Sequence, residues 1–202
     1  MIPVFPQPEP TSPIFDFDSR VRQPGQNWLV TNGISLNAPP PKASALPNYW
    51  SRSNKVLWDA YSGVCAYLAI YFEWSTGASS TDHFVAKSKH AGDAYEWSNY
   101  RLSCLGANRN KGKFDDVLDP IGLAADTFVL NLATGHIKPK PTLPQVDKTA
   151  ARKTLTRLKL NSAANKQMRA RHYGEYLQHK HVATLKFYSP FVWYEANRQG
   201  LL

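Results

Sequence analysis

The chain has 202 residues and a mass of 22.7 kDa, which fits one domain, or one domain with a modest extension, and excludes a large multidomain machine. Hydrophobic residues make up 43% and aromatic residues 12%, enough to bury a core and too many for a disordered chain. The two cysteines exclude a disulfide-rich extracellular scaffold, and the net charge of +9 makes a polyanion the first partner to consider.

The first 48 residues predict a proline-rich extended arm. Ten of the fifteen prolines lie between residues 3 and 47, and we expect them to exclude regular helix and central strand there. Aromatic residues such as Phe5, Phe15 and Phe17 predict that the arm packs along a surface or docks to a partner. No signal-peptide pattern opens the chain and no apolar run reaches the ~18–20 residues of a membrane span, so we expect a cytoplasmic protein without a membrane partner.

Residues 49–120 predict a compact core. Apolar spacing predicts a helix over 49–62, ended by Gly63. Two β-rich runs, 64–73 and 81–88, are expected to be strands that pair, and residues 94–102 and 107–111 predict helical turns. The expected order is therefore strand, strand, helix.

Residues 121–146 predict a hairpin and a linker, and residues 147–202 predict a basic helical region. Segments 127–132 and 136–138 flank a turn in which Gly135 supplies a positive φ, and we expect this hairpin to extend the sheet of the core. Asp147 and Asn161 are the expected N-caps of two helices, and Pro190 begins or breaks the last one. The fold class is α+β.

The excess positive charge is confined to residues 148–186. This segment holds ten lysines and arginines against one acid, Glu175, whereas the rest of the chain holds 14 of each sign. Arg152, Lys153 and Arg157 are therefore candidates for contact with nucleic-acid phosphates, although a basic helix can also be a solvated face. Such contacts do not select a base sequence.

One window concentrates the reactive side chains, with Asp82 and His83 first, then Asn99, then Asn108 and Lys111. Carboxylate and amide oxygens suit Mg²⁺ or Mn²⁺, and a neutral imidazole can accept a proton from water. Adjacent strand residues point to opposite faces, so Asp82 and His83 share a site only if the strand bends or ends there. These are the parts of a one-metal phosphodiesterase.

In order and spacing this window resembles the HNH (ββα-metal) endonuclease superfamily, over about 50 residues from Cys65 to Phe114. The resemblance implies a ββα-metal core in which Asp82 is the first metal ligand, His83 the general base and Asn108 the second metal ligand. Asn99 would tie the loop and orient the histidine, although Asn110 is also close and either amide could instead cap a turn.

The sequence departs from the family pattern in two ways. Many such domains carry two Cys-x-x-Cys pairs that hold a structural zinc ion. Here each pair has lost its second cysteine, and only Cys65 and Cys104 remain. We therefore expect no structural zinc and a fold held by hydrophobic packing. The proline that often follows the Asp-His pair is replaced by Ala86.

Four cations beside the motif are candidates for contact with nucleic-acid phosphates: Lys87, Lys89, Arg109 and Lys111. DNA is the first expected substrate, and RNA such as a structured tRNA is the alternative. A third reading is a non-catalytic subunit with a degenerate HNH fold that binds nucleic acid or a partner.

The C-terminal half is similar to HNH subunits of the Septu and retron ATPase–nuclease antiphage modules. The similarity rests on Leu158 to Asn161, on Arg169 and Arg171, and on Ser189-Pro190-Phe191. It implies an effector nuclease held in check by an ATPase partner.

Overall fold

The computed structural model describes residues 1–202 and shows an α+β protein with seven α-helices and two small sheets. The chain divides into two compact units. The motif unit comprises residues 6–63 and 73–115, and the C-terminal unit comprises residues 1–5, 64–72 and 116–202. None of the helices combines the length and the hydrophobicity that a bilayer span requires.

A helix lies inside the proline-rich arm, so the expectation that its prolines exclude one is wrong. A π-helical turn, Asp18–Arg22, continues into α1, Gln23–Thr31. Pro24 lies in the first turn of α1, where a helix tolerates proline. Buried positions recur every four residues along this helix: Phe17, Val21, Gly25 and Leu29. This apolar spacing outweighs the effect of the prolines.

The segment before the motif is helical, as predicted. A 3₁₀ turn, Tyr49–Ser53, leads into α2, Asn54–Ala60. The helix ends in a turn in which Ser62 and Gly63 both have a positive φ, +51° and +67°, and the N–H of Gly63 donates to the carbonyl of Trp58 at 2.8 Å.

The motif unit contains a β-hairpin followed directly by a helix. Strand β1, Ser79–His83, pairs antiparallel with β2, Tyr100–Cys104, and α3, Leu105–Lys111, begins at the next residue. Asp82 lies opposite Arg101 and His83 lies opposite Tyr100. The order strand, strand, helix is therefore present, and the end of β1 and the body of α3 carry the motif residues.

The segments that form this hairpin differ from those predicted. Residues 64–73 form turns with one isolated bridge, between Val64 and Tyr71, and all but the last of them belong to the C-terminal unit. Cys65 and Tyr67 are fully buried there, and an apolar run reports burial without distinguishing a strand from a buried loop. The partner strand of β1 is instead residues 100–104, for which helical turns were expected; 3₁₀ turns precede it at Gly92–Tyr95 and Trp97–Asn99.

The predicted second hairpin is confirmed, but it does not extend the first sheet. Strands β3, Phe128–Asn131, and β4, His136–Pro139, form a separate two-stranded sheet. At the outer edge of β4, the backbone N–H and C=O of Ile137 both bond to the side-chain amide of Asn161, at 2.9 and 2.8 Å. Because that side chain satisfies the backbone groups of Ile137, a further strand is not needed there.

The turn between β3 and β4 packs tightly. Gly135 has a φ of +67° and is buried, and a Cβ atom at this position would collide with the backbone carbonyl of Lys166. The same glycine's carbonyl accepts a 2.8 Å hydrogen bond from Nε of the buried Arg169. The turn therefore requires glycine both for its backbone conformation and for this close approach.

Four helices complete the C-terminal unit: α4 Gln145–Arg157, α5 Ala163–His179, α6 Val182–Tyr188 and α7 Pro190–Arg198. Pro190 begins the last helix, as one of the two expected alternatives had it. The two predicted N-caps are wrong. Helix α4 begins before Asp147, and α5 is capped by Ser162, whose hydroxyl accepts a bond from the N–H of Asn165. Asn161 is engaged with β4 instead.

Candidate functional site

Three of the motif residues, Asp82, His83 and Asn108, line one pocket of about 480 Å³ in the motif unit. Asp82 and His83 enter it from the end of β1, and Asn108 enters it from α3. Because β1 ends at His83, neighbouring residues that would otherwise face opposite sides both reach the pocket. The remaining lining is mostly polar: Ala43, Asn48, Trp50, Ser51, Asn54, Ser80, Thr81, Ala86, Lys87, Ser88, Gly112 and Lys113.

His83 is held as a neutral imidazole with a defined orientation. Its Nε2 lies 3.0 Å from the carbonyl oxygen of Ala94, and since a carbonyl only accepts, Nε2 carries the proton and Nδ1 is the acceptor. Burial lowers the pKa of His83 to about 3, although the Ala94 contact opposes that shift. The rings of Trp50 and Tyr100 pack edge-on against the imidazole, with centroids 4.9 and 5.2 Å away.

Asn99 fixes the backbone just after this histidine and the backbone next to its acceptor, Ala94. Its side-chain oxygen accepts a bond from the N–H of Val85 at 2.7 Å, and its amide N–H groups donate to the carbonyls of Val85 at 3.0 Å and Asp93 at 2.9 Å. Val85 is two residues after His83, and Asp93 comes directly before Ala94, whose carbonyl accepts the hydrogen bond from His83. Asn99 does not line the pocket, so it is a positioning residue and has no contact with a reacting group there.

Replacing Asn99 with alanine is expected to lower the free energy of unfolding by about 2–4 kcal/mol, because three hydrogen bonds at a buried position lose their partner. Urea denaturation of the two proteins measures this difference. Asn197→Ala on the exposed end of α7 is the matched control and should change stability by less than about 0.5 kcal/mol. An equal effect of the two substitutions would contradict the assigned role of Asn99.

Lys111 is wrongly predicted as a phosphate contact. Its side chain is 0% exposed, and its Nζ donates to the carbonyl of His83 at 2.7 Å and lies 3.3 Å from Oδ1 of Asp82, itself 2% exposed. A buried ammonium requires such partners, because it is costly to remove from water alone. Lys111 therefore neutralises Asp82 from beneath the pocket and holds the backbone at His83.

The donor set of the pocket fits a hard divalent cation. The amide N–H groups of Asn108 are directed to Ser80 Oγ and to the carbonyl of Thr81, which leaves the amide oxygen as its ligand atom. The buried Thr81 Oγ1 has no hydrogen-bond partner. Together with the Asp82 carboxylate these atoms would offer a cation oxygen ligands, which Mg²⁺ and Mn²⁺ prefer. No group of three His, Cys, Asp or Glu residues lies close enough together to form a metal site.

The other predicted cations near the motif differ in their surroundings. Lys87 lines the pocket, its Nζ lies 4.0 Å from the centroid of the Trp50 ring, and burial lowers its pKa. Lys89 is exposed and paired with Asp115. Arg109 is exposed on α3 and does not line the pocket. Lys113 does line it, and sequence reasoning missed it although it lies only two residues after the motif lysine.

The three predicted cations of the basic segment lie on α4, in the C-terminal unit. Arg152 and Lys153 are exposed. Arg157 instead forms two 3.0 Å hydrogen bonds to the carboxylate of Asp116, which lowers the pKa of that carboxyl. Its guanidinium is therefore already engaged by an acid, whereas the other two remain candidates for phosphate contact.

The cysteines are both free thiols. Cys65 is buried in the C-terminal unit and Cys104 is half-buried in the motif unit. The expectation that the protein holds no structural zinc stays a prediction.

Comparison with known proteins assigns no family. No family model matches this chain. No curated protein matches it significantly in sequence. The functional interpretation therefore rests on the side chains of the pocket and their contacts.

Proposed function

We propose that the protein is a metal-dependent HNH-type endonuclease that hydrolyses phosphodiester bonds of nucleic acid. The observation that carries the proposal is the convergence of Asp82, His83 and Asn108 on one pocket from a hairpin and the helix that follows it. This is the arrangement expected of a ββα-metal core.

His83 is the general base of the proposed reaction. Its Nδ1 accepts a proton from the attacking water while Nε2–H stays bonded to Ala94. Burial keeps the free imidazole neutral, and an anionic phosphate in the pocket raises its pKa towards a value at which it accepts the proton more readily. Lys87 and Lys113 line the same pocket and bind the phosphate oxygens.

Asp82 and Asn108 would hold the Mg²⁺ or Mn²⁺ ion. When bound, such an ion stabilises negative charge on the phosphate and on the leaving oxygen. Because Asp82 is the only carboxylate lining the pocket and Lys111 offsets its charge, the protein alone offers a weak cation site. Phosphate oxygens of the substrate would supply further oxygen ligands.

The experiment that tests the proposal is incubation of plasmid DNA and of total tRNA with the protein in Mg²⁺, Mn²⁺ or EDTA. We expect cleavage with either metal and none with EDTA. The substrate that is cut decides between DNA and the RNA alternative. If neither is cut, with or without a candidate ATPase present, the chain is the non-catalytic binding subunit and the nuclease proposal is wrong.

We further propose that the nuclease is a cytoplasmic effector of an antiphage module and is regulated by an ATPase subunit. The support is the sequence similarity around residues 158–161 and 189–191 to Septu and retron nuclease subunits. Co-purification with a candidate ATPase, and a change in cleavage on its addition, would test the pairing. An ATPase that neither binds nor alters cleavage would contradict it.

A further inference from the structure

A second concave surface lies in the C-terminal unit, between β4 and α4. We call it the basic groove; its volume is about 670 Å³. Its cationic and titratable lining residues are His136, Lys138, Lys148 and Arg152, and no aspartate or glutamate lines it. Cations on two separate elements thus face one cavity that has no acidic side chain in its lining.

The elements place these side chains by their own periodicity. His136 and Lys138 are alternate residues of β4 and so lie on one face of the strand. Lys148 and Arg152 are four residues apart on α4 and lie on one face of the helix. Gln145 and Thr156 extend that face in both directions and also line the groove.

The cations of the groove are available to a ligand. Lys138, Lys148 and Arg152 form no ion pair within the protein, in contrast to Arg157 on the same helix, which is bound to Asp116. Burial lowers the pKa of His136, and the nearby charges of Lys138, Lys166 and Arg169 lower it further. An anion entering the groove would therefore meet positive side chains that have no ion-pair partner within the protein.

The groove is held open by side chains that bond to the backbone around it. The two hydrogen bonds between Asn161 and Ile137 attach the chain after α4 to β4, and Arg169 Nη2 donates to the carbonyl of Leu160 at 2.6 Å. The position of β4 relative to α4 is therefore fixed before any ligand binds, which lowers the entropic cost of binding.

We propose that the basic groove binds the phosphate backbone of nucleic acid as a site separate from the pocket that holds His83. The inference deepens the proposed nuclease function, since it assigns a substrate-binding surface in the C-terminal unit. Lys138, Lys148 and Arg152 neutralise phosphates, and no base sequence is read. Each phosphate neutralised releases counterions and adds to the salt dependence of binding.

The test measures binding of a short fluorescent DNA duplex to the full chain in EDTA, across a series of KCl concentrations. The groove variant is K138Q/K148Q/R152Q. Its matched control, R171Q/K180Q/K186Q, removes the same charge at exposed positions outside the groove. We expect the groove variant to bind about 10- to 100-fold more weakly at low salt and to lose about 2–3 units of the salt slope.

The control variant should retain most of the wild-type affinity and most of its salt slope. Equal circular dichroism spectra would show that all three proteins fold. Equal weakening of the two variants, an unchanged groove variant, or no binding by the wild type would each overturn the inference. Because EDTA prevents metal-dependent cleavage, the assay is independent of the nuclease proposal. If the groove variant binds more weakly but the wild type cleaves no nucleic acid, the groove proposal is supported and the nuclease proposal is wrong.

Discussion

His83→Ala is expected to reduce metal-dependent cleavage by about two to four orders of magnitude, the usual contribution of a general base. The substitution removes the only imidazole in the pocket and leaves Asp82 and Asn108 in place. Initial rates of plasmid nicking at saturating Mg²⁺ measure the effect. Affinity for nucleic acid in EDTA should change much less, because the lysines of the pocket remain.

The matched control for His83 is His179→Ala, at an exposed position in the C-terminal unit that lies outside the motif pocket. It should cleave at the wild-type rate. A melting temperature for each variant separates lost chemistry from lost folding, since removal of the half-buried His83 also removes its packing against Trp50 and Tyr100. Full activity in a folded His83→Ala protein would show that another group activates the water.

Lys111→Met is expected to lower the free energy of unfolding by about 3–5 kcal/mol, the cost of leaving one partner of a buried ion pair alone. Methionine fills a similar volume but provides no charge for Asp82 and no donor for the carbonyl of His83. Urea denaturation measures the loss. Lys113→Met, an exposed lysine two residues further on, is the control and should change stability by less than about 0.5 kcal/mol.

A double variant shows whether the charge of Asp82 causes this loss. Asp82→Asn removes the negative charge with little change in size, so Asp82→Asn/Lys111→Met should be more stable than Lys111→Met alone. If the second substitution adds further instability instead, the carboxylate is not the source of the effect. The lysine would then act through the carbonyl of His83 alone.

Local patterns predicted the parts of the fold that depend on local chemistry. Gly135 marks the β3–β4 turn because its backbone requires a positive φ, and Pro190 marks a helix start because its fixed φ suits the first turn. The motif spacing also brought Asp82, His83 and Asn108 together, since a hairpin and the helix after it keep residues of one short window close.

Other features depended on contacts that the sequence does not show. Lys111 is buried because its ammonium pairs with Asp82 in space, although Asp82 lies 29 positions earlier in the chain. The apolar run at 64–73 indicated burial and not a strand. The helix at 18–31 was missed because the proline count took no account of the buried positions Phe17, Val21, Gly25 and Leu29, which recur every four residues.

The contact between Gly135 and the carbonyl of Lys166 has a practical consequence. Turns between two antiparallel strands are common places for epitope tags, fluorophores and inserted peptides, because most of them project into water. In this protein the turn residue is buried against α5, and the strand that leaves it carries Lys138 of the basic groove. A label inserted there would displace β4 and alter the groove, so probes for single-molecule or pull-down work belong elsewhere on the chain.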